Sequence, residues 1–158
     1  MAEIVAQWGR ERPDLDASPL LVIGRMARLT QLFEPRLRPP FAAAGLGNGD
    51  FDVLAALRRS GHPFTLTPGE LSTALLVTTG AVTKRIDRLE MRGLVRRTVS
   101  ASDARGRLVT LEPEGVRLTD ELIGTHLANE ARLLAGLDAR ERRELATLLA
   151  RVAETLPS

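Results

Sequence analysis

The 158-residue chain contains no cysteine. Disulfides, thiolate nucleophiles, Cys-ligated zinc and thiol redox sensing are therefore excluded. Histidine is nearly as scarce: His62 lies in a loop beside Pro63, and His126 falls within a helical stretch. His126 and Glu130 have the i,i+4 spacing of a ligand pair, but two ligands do not make a metal site. No Ser/His/Asp set has positional support, so an enzyme is the weaker class of hypothesis, and no cofactor is expected. No apolar run is long enough to span a membrane. The opening "MAEIVAQWGRERPD" lacks a signal-peptide core, which gives the expectation of a cytoplasmic protein without a membrane partner. Lysine is almost missing: of 22 basic residues, 21 are arginine and one is Lys84. Aromatics make up 3%, and Trp8 is the sole tryptophan.

What remains is an ordinary globular composition, 44% hydrophobic and 27% charged, sufficient for one domain with flanking helices. The net charge is only +2, but it is unevenly placed. Residues 78–107 hold eight basic and three acidic residues, a net of +5 that leaves −3 for the rest. A basic window on an acidic body is the electrostatic footprint of a polyanion-binding surface. A merely solvated face is the plainer alternative.

Helical spacing predicts helices over 2–10 and from Pro19 to about Arg38, where Pro39 and Pro40 interrupt. Another runs from about Asp50 to Ser60, with Phe51, Val53, Leu54 and Leu57 inward; Gly61 ends it. In "TPGELSTALLV", Thr67 and Glu70 form a T-x-x-E capping box with Pro68 at the first helical position. A short helix, a break near Val77–Thr78 and a second helix make a helix-turn-helix candidate. "LVRRTVS" (94–100) and "RLVTL" (107–111) alternate around the turn "ASDARG", a hairpin with Arg105 and Arg107 at its tip. Pro113 opens a long helix to about Ala135. Asp138 and Glu141 start a last one, whose stripe Leu145, Leu148, Leu149, Val152 and Leu156 suits a dimer interface; intramolecular packing is the alternative.

The fold class expected is mainly α with a small β-hairpin wing. A winged helix-turn-helix is flanked by N- and C-terminal dimerisation helices. The divisions are 1–47 (extra N-terminal helix and first dimerisation helix), 48–112 (DNA-binding domain) and 113–158 (C-terminal dimerisation helices).

The second helix can be read by angle, at about 100° per residue. Val82, Ile86 and Leu89 fall together as the inward stripe. Gly80 and Lys84 lie opposite, flanked by Thr83 and Arg88. Thr78 and Thr79 begin the helix, where free N–H groups favour phosphate. These six residues can address base edges and backbone in a major groove. Arg85 falls at the edge of the buried stripe. Such an arginine needs a carboxylate, a carbonyl or an anionic ligand; Asp52 and Glu90 are the candidate protein partners. The run Gly45-Leu46-Gly47-Asn48-Gly49 has the look of a nucleotide loop, but it follows a helix rather than a strand and lacks a following Lys-Ser/Thr.

Over its full length the chain resembles the MarR family of bacterial winged-helix transcription regulators. The resemblance rests on "LTPGELSTALLVTTGAVTKRIDRLEMRGLVRR", the hairpin with "DARGR", and "LVTLEPEG". More narrowly it is similar to the PecS-like, urate-responsive branch, through "IVAQWGRERPDLDASPLLVIGRM" and "GDFDVLAALRRSG". The resemblance implies a homodimeric repressor that binds a pseudo-palindromic double-stranded operator on the bacterial nucleoid and is released by a small anion such as urate. It also implies a ligand site of Trp8, Asp52, Arg85 and Arg97. The pattern departs in two places: the wing reads Asp103, Ala104, Arg105, Gly106, Arg107 instead of carrying a double arginine after the aspartate, and Lys84 stands where Asn is usual. Two other readings stay open. One is a regulator answering to a different aromatic acid or to no ligand, and the other is a chromosome-organising DNA-binding protein.

Overall fold

The computed structural model describes residues 1–99 and 107–156. The chain forms two compact units, Met1–Pro39 and Pro40–Ser158.

The first unit holds α1 (Ala2–Glu11) and the greater part of α2 (Leu20–Ala43). The sequence predicts a break at Pro39 and Pro40, yet α2 continues to Ala43. A proline removes its own donor and crowds the carbonyl four residues back. It leaves the following residues free to donate, and the N–H of Ala44 reaches the Pro40 carbonyl at 3.1 Å. The helix survives, while the division between units falls on this proline pair. That division comes before residue 47 because Leu46 is already buried in the second unit's core, with Phe41 and Ala44 packed against it.

The second unit continues with α3 (Asp50–Arg59), β1 (Thr65–Leu66), α4 (Pro68–Leu75), α5 (Thr79–Met91), β2 (Val95–Val99), β3 (Arg107–Leu111), α6 (Pro113–Leu133) and α7 (Ala139–Glu154). The β2–β3 hairpin has the register Val95↔Leu111, Arg97↔Val109 and Val99↔Arg107. A third strand is added: β1 pairs with β3, giving the order β1-β3-β2. Two residues are too few to show the alternation that identifies a strand.

One core serves the unit. Val53, Leu54 and Leu57 of α3, Leu71 of α4, Val82, Ile86 and Leu89 of α5, and Val95, Val109 and Leu111 of the sheet are buried together. Full burial stabilises by roughly 1.5–3 kcal/mol for each such side chain. The α5 stripe alone therefore fixes which face of that helix is turned to solvent. Arg58 ties α3 to α6 through Asp120, at 2.8 Å. The terminal helix is different. No α7 residue is buried, and Leu145, Leu148, Leu149 and Leu156 are exposed. No described helix is long and apolar enough to cross a membrane.

Candidate nucleic-acid interface and ligand residues

The helix-turn-helix is built by local rules. Thr67 Oγ1 accepts from the Glu70 N–H at 3.1 Å, and Glu70 Oε2 accepts from the Thr67 N–H at 2.7 Å. These reciprocal bonds start α4. The Thr67 N–H and the Thr67 hydroxyl both donate to the Glu70 carboxylate and hold it below the usual carboxylate range, the backbone bond contributing most. Leu76, at φ +52°, ends α4. Thr78 then caps α5, its Oγ1 accepting from the Ala81 N–H at 3.3 Å.

The burial of Val82, Ile86 and Leu89 leaves Thr78, Thr79, Gly80, Thr83 and Lys84 exposed. No protein atom lies within 4 Å of where a Gly80 Cβ would stand. Thr83 Oγ1 donates to the Thr79 carbonyl at 2.9 Å, so its hydroxyl is left as an acceptor. The Lys84 side chain has no hydrogen bond or ion pair among the described residues. Arg107 is exposed at the start of β3, whereas Arg105 lies outside the described residues.

The arginines of α5 behave differently from Lys84. Arg88 turns back toward α3: its Nη2 lies 2.5 Å from Asp50 Oδ1 and its Nε 3.3 Å from Oδ2. That pair raises the Arg88 pKa above its ordinary value, against the opposing effect of desolvation. The angular reading put Arg88 on the flank of the outer face. A long side chain on that flank can swing either way, and the buried Asp50 carboxylate, 3% exposed, decides the direction. Arg92 donates to the carbonyls of Gly45 and Ala44, each at 2.9 Å.

Arg85 sits at the rim of the buried stripe, 18% exposed. Its partner is Asp52, not Glu90, and the approach is loose: Nη1 lies 3.7 Å from Asp52 Oδ2 and 3.4 Å from the Gly49 carbonyl. Arg97 is held firmly instead. It pairs with Asp87 and with Glu90, the latter at 2.7 Å, and donates to the Thr83 carbonyl at 3.3 Å. Two carboxylates thus neutralise Arg97, while Arg85 faces one distant carboxylate.

Trp8 belongs to the first unit. It lines a cavity of about 310 Å³ with Leu15, Asp16, Ala17, Pro19 and Leu20. Asp52, Arg85 and Arg97 belong to the second unit, on α3, α5 and β2. His126 is taken up in packing: its Nε2 lies 3.2 Å from Glu130 Oε1, and its ring meets those of Phe41 and Phe51.

Sequence reasoning missed Asp50. As the first residue of a helix it reads as an ordinary N-terminal acid, and nothing local signals a partner 38 residues away. The partners of Arg92 are backbone carbonyls and leave no side-chain signature at all.

A family profile described as "MarR family" matches residues 44–106. The chain is 37% identical to the HTH-type transcriptional regulator PecS of Dickeya dadantii, over 99% of this chain and 94% of that one. Among solved structures it is similar to a mutant MarR from E. coli complexed with operator DNA. The TM-score is 0.74 and the identity 27%, over 95% of this chain and 98% of that one. Bordetella bronchiseptica BpsR, whose DNA binding is described as regulated by 6-hydroxynicotinic acid, matches with TM-score 0.76 and 25% identity, over 85% and 94% of the two chains. The chain belongs to the MarR family, whose members are DNA-binding transcription regulators and not enzymes.

Proposed function

We propose that this regulator is a homodimeric repressor, resident on the nucleoid in the cytoplasm, released from a pseudo-palindromic operator by a small planar anion, urate or a related purine. Thr78, Thr79, Gly80, Thr83 and Lys84 of α5 read the major groove, and Arg105 and Arg107 of the wing follow the backbone. The exposed leucines of α7 support a dimer interface formed by the terminal helices: an apolar stripe that its own chain does not cover is stabilised by a second copy.

The observation that carries the ligand reading is Arg85. A guanidinium that is 18% exposed, with its nearest carboxylate 3.7 Å away, is desolvated without being well paired, and an anion would improve its position. Because Arg85 stands on the DNA-reading helix, drawing it toward a ligand moves that helix. The double neutralisation of Arg97 favours a second reading, in which the ligand is an aromatic acid with a single carboxylate that engages Arg85 alone.

The test is a mobility-shift and footprinting assay on the DNA upstream of the protein's own gene. One protected palindrome, lost with urate, supports the proposal. Broad unlocalised coverage supports a chromosome-organising protein. A single footprint that resists urate but yields to an aromatic monocarboxylate supports the second reading.

A further inference from the structure

The glycine run between α2 and α3 has a role that its likeness to a nucleotide loop conceals. Gly45, Gly47 and Gly49 alternate along an irregular segment, and each faces one arginine: Arg88 and Arg85 of α5 lie opposite Gly47 and Gly49, and Arg92, the C-cap residue of α5, lies opposite Gly45. A Cβ at Gly45 would stand 3.6 Å from Arg92 Nη1. A Cβ at Gly47 would meet Arg88 Nε at 3.0 Å and Asp50 Oδ2 at 2.9 Å, and one at Gly49 would overlap the Arg85 guanidinium. Gly45 and Gly49 also have φ of +69° and +73°, which an L side chain rarely adopts.

The order is antiparallel: residues 92, 88 and 85 run back from the C-cap of α5 along the helix as residues 45, 47 and 49 ascend the loop. At about 100° per residue the three arginines fall within one stripe about 60° wide. The loop presents them with the carbonyls of Ala44, Gly45, Asn48 and Gly49 and with the carboxylate of Asp50. The first two carbonyls lie just past the end of α2, where a helix leaves acceptors unsatisfied and its dipole favours a cation. The Gly47 N–H also donates to Asp50 Oδ2, at 2.7 Å.

We infer that residues 44–50 brace the DNA-reading helix, with Arg85, Arg88 and Arg92 as positioning residues and Lys84 as the α5 cation left for DNA. This rests on the family's DNA-binding function and reassigns Arg88, which by angle alone belongs with the groove-facing set. A guanidinium neutralised by a buried carboxylate releases no counterion on meeting a phosphate, so Arg88 acts on affinity through the orientation of α5.

Amide hydrogen exchange on the full-length protein without DNA tests the brace. Arg88→Gln and Gly47→Ala should speed exchange across Thr79–Met91 by roughly 10-fold or more relative to α6, while Lys84→Gln leaves it unchanged. Unaltered α5 exchange in both brace variants would overturn the inference. The second readout is salt dependence of binding to a duplex from the upstream region, far below the melting temperature. Arg88→Gln should weaken binding with the slope of log affinity on log salt intact. Lys84→Gln should flatten that slope by about 0.9 for each phosphate the side chain no longer neutralises. A flattened slope for Arg88→Gln would place Arg88 on DNA and defeat the assignment. Should the wild type bind no duplex, the operator reading fails by itself, and the exchange data still decide the brace.

Discussion

Arg88 of α5 donates to both carboxylate oxygens of Asp50, the first residue of α3, across 38 residues of chain. The two ends of this pair differ in exposure: Arg88 is 42% exposed, Asp50 only 3%. An exposed guanidinium loses little when freed, but a buried carboxylate loses much when stranded.

Arg88→Ala should therefore destabilise the fold by about 1–3 kcal/mol. Asp50→Asn in the same background should recover part of that loss, because the stranded charge is gone. Urea unfolding of the four proteins of the double-mutant cycle measures the coupling. Strict additivity would mean that the pair has no energetic weight.

On the exposed face of α5, Lys84→Ala should weaken operator binding. Removing a specific hydrogen bond to a base edge would cost about 1–3 kcal/mol and relax base choice at one position of each half-site. The half-sites should lie about one helical turn, ~10 base pairs, apart. Arg105→Ala should weaken binding more evenly across sequences. Selection of binding sites from a random duplex pool by the wild type and both variants reads all three effects.

Leu149→Glu should yield monomer or insoluble chain, because it places a charge in the exposed stripe of Leu145, Leu148 and Leu149. Sedimentation at micromolar concentration distinguishes the outcomes. A wild type that sediments as a monomer would contradict the dimer.

Glu70 sets an acid limit for α4. Its carboxyl is held below the ordinary range by the Thr67 N–H, so folding favours the ionised form. The contribution is complete above the unfolded pKa and is lost as pH falls through the lower folded value. Glu70 is nearly fully solvated, so the effect is small. Glu70→Gln should have a Tm slightly below wild type at neutral pH and converge with it in acid. A gap that widens in acid would reverse the sign.

Much of this architecture follows from local rules. The Thr67–Glu70 and Asp138–Glu141 capping boxes form as their spacing predicts, and Val82, Ile86 and Leu89 are buried as the helical period requires. What escapes local reading is long-range or backbone-borne. The course of α2 through Pro39 and Pro40 depends on residues after the prolines recovering their bonds. The strand β1 exists only because β3 lies beside it. The glycine run is intelligible only when the arginines facing it from α5 are known. For Arg85, angle alone predicts the need for a partner, with Asp52 and Glu90 as the protein candidates. Glu90 is taken by Arg97, which leaves Asp52.

The measurement closest to the central claim is the affinity of the protein for duplex DNA from upstream of its own gene, with and without urate, in wild type and Arg85→Ala. Urate should weaken the wild type by roughly 5–150-fold, the range of a typical allosteric coupling. Arg85→Ala, folded and still bound to DNA, should lose that response. Unchanged wild-type affinity at millimolar urate, or an Arg85→Ala protein that urate releases as readily as wild type, would contradict the account.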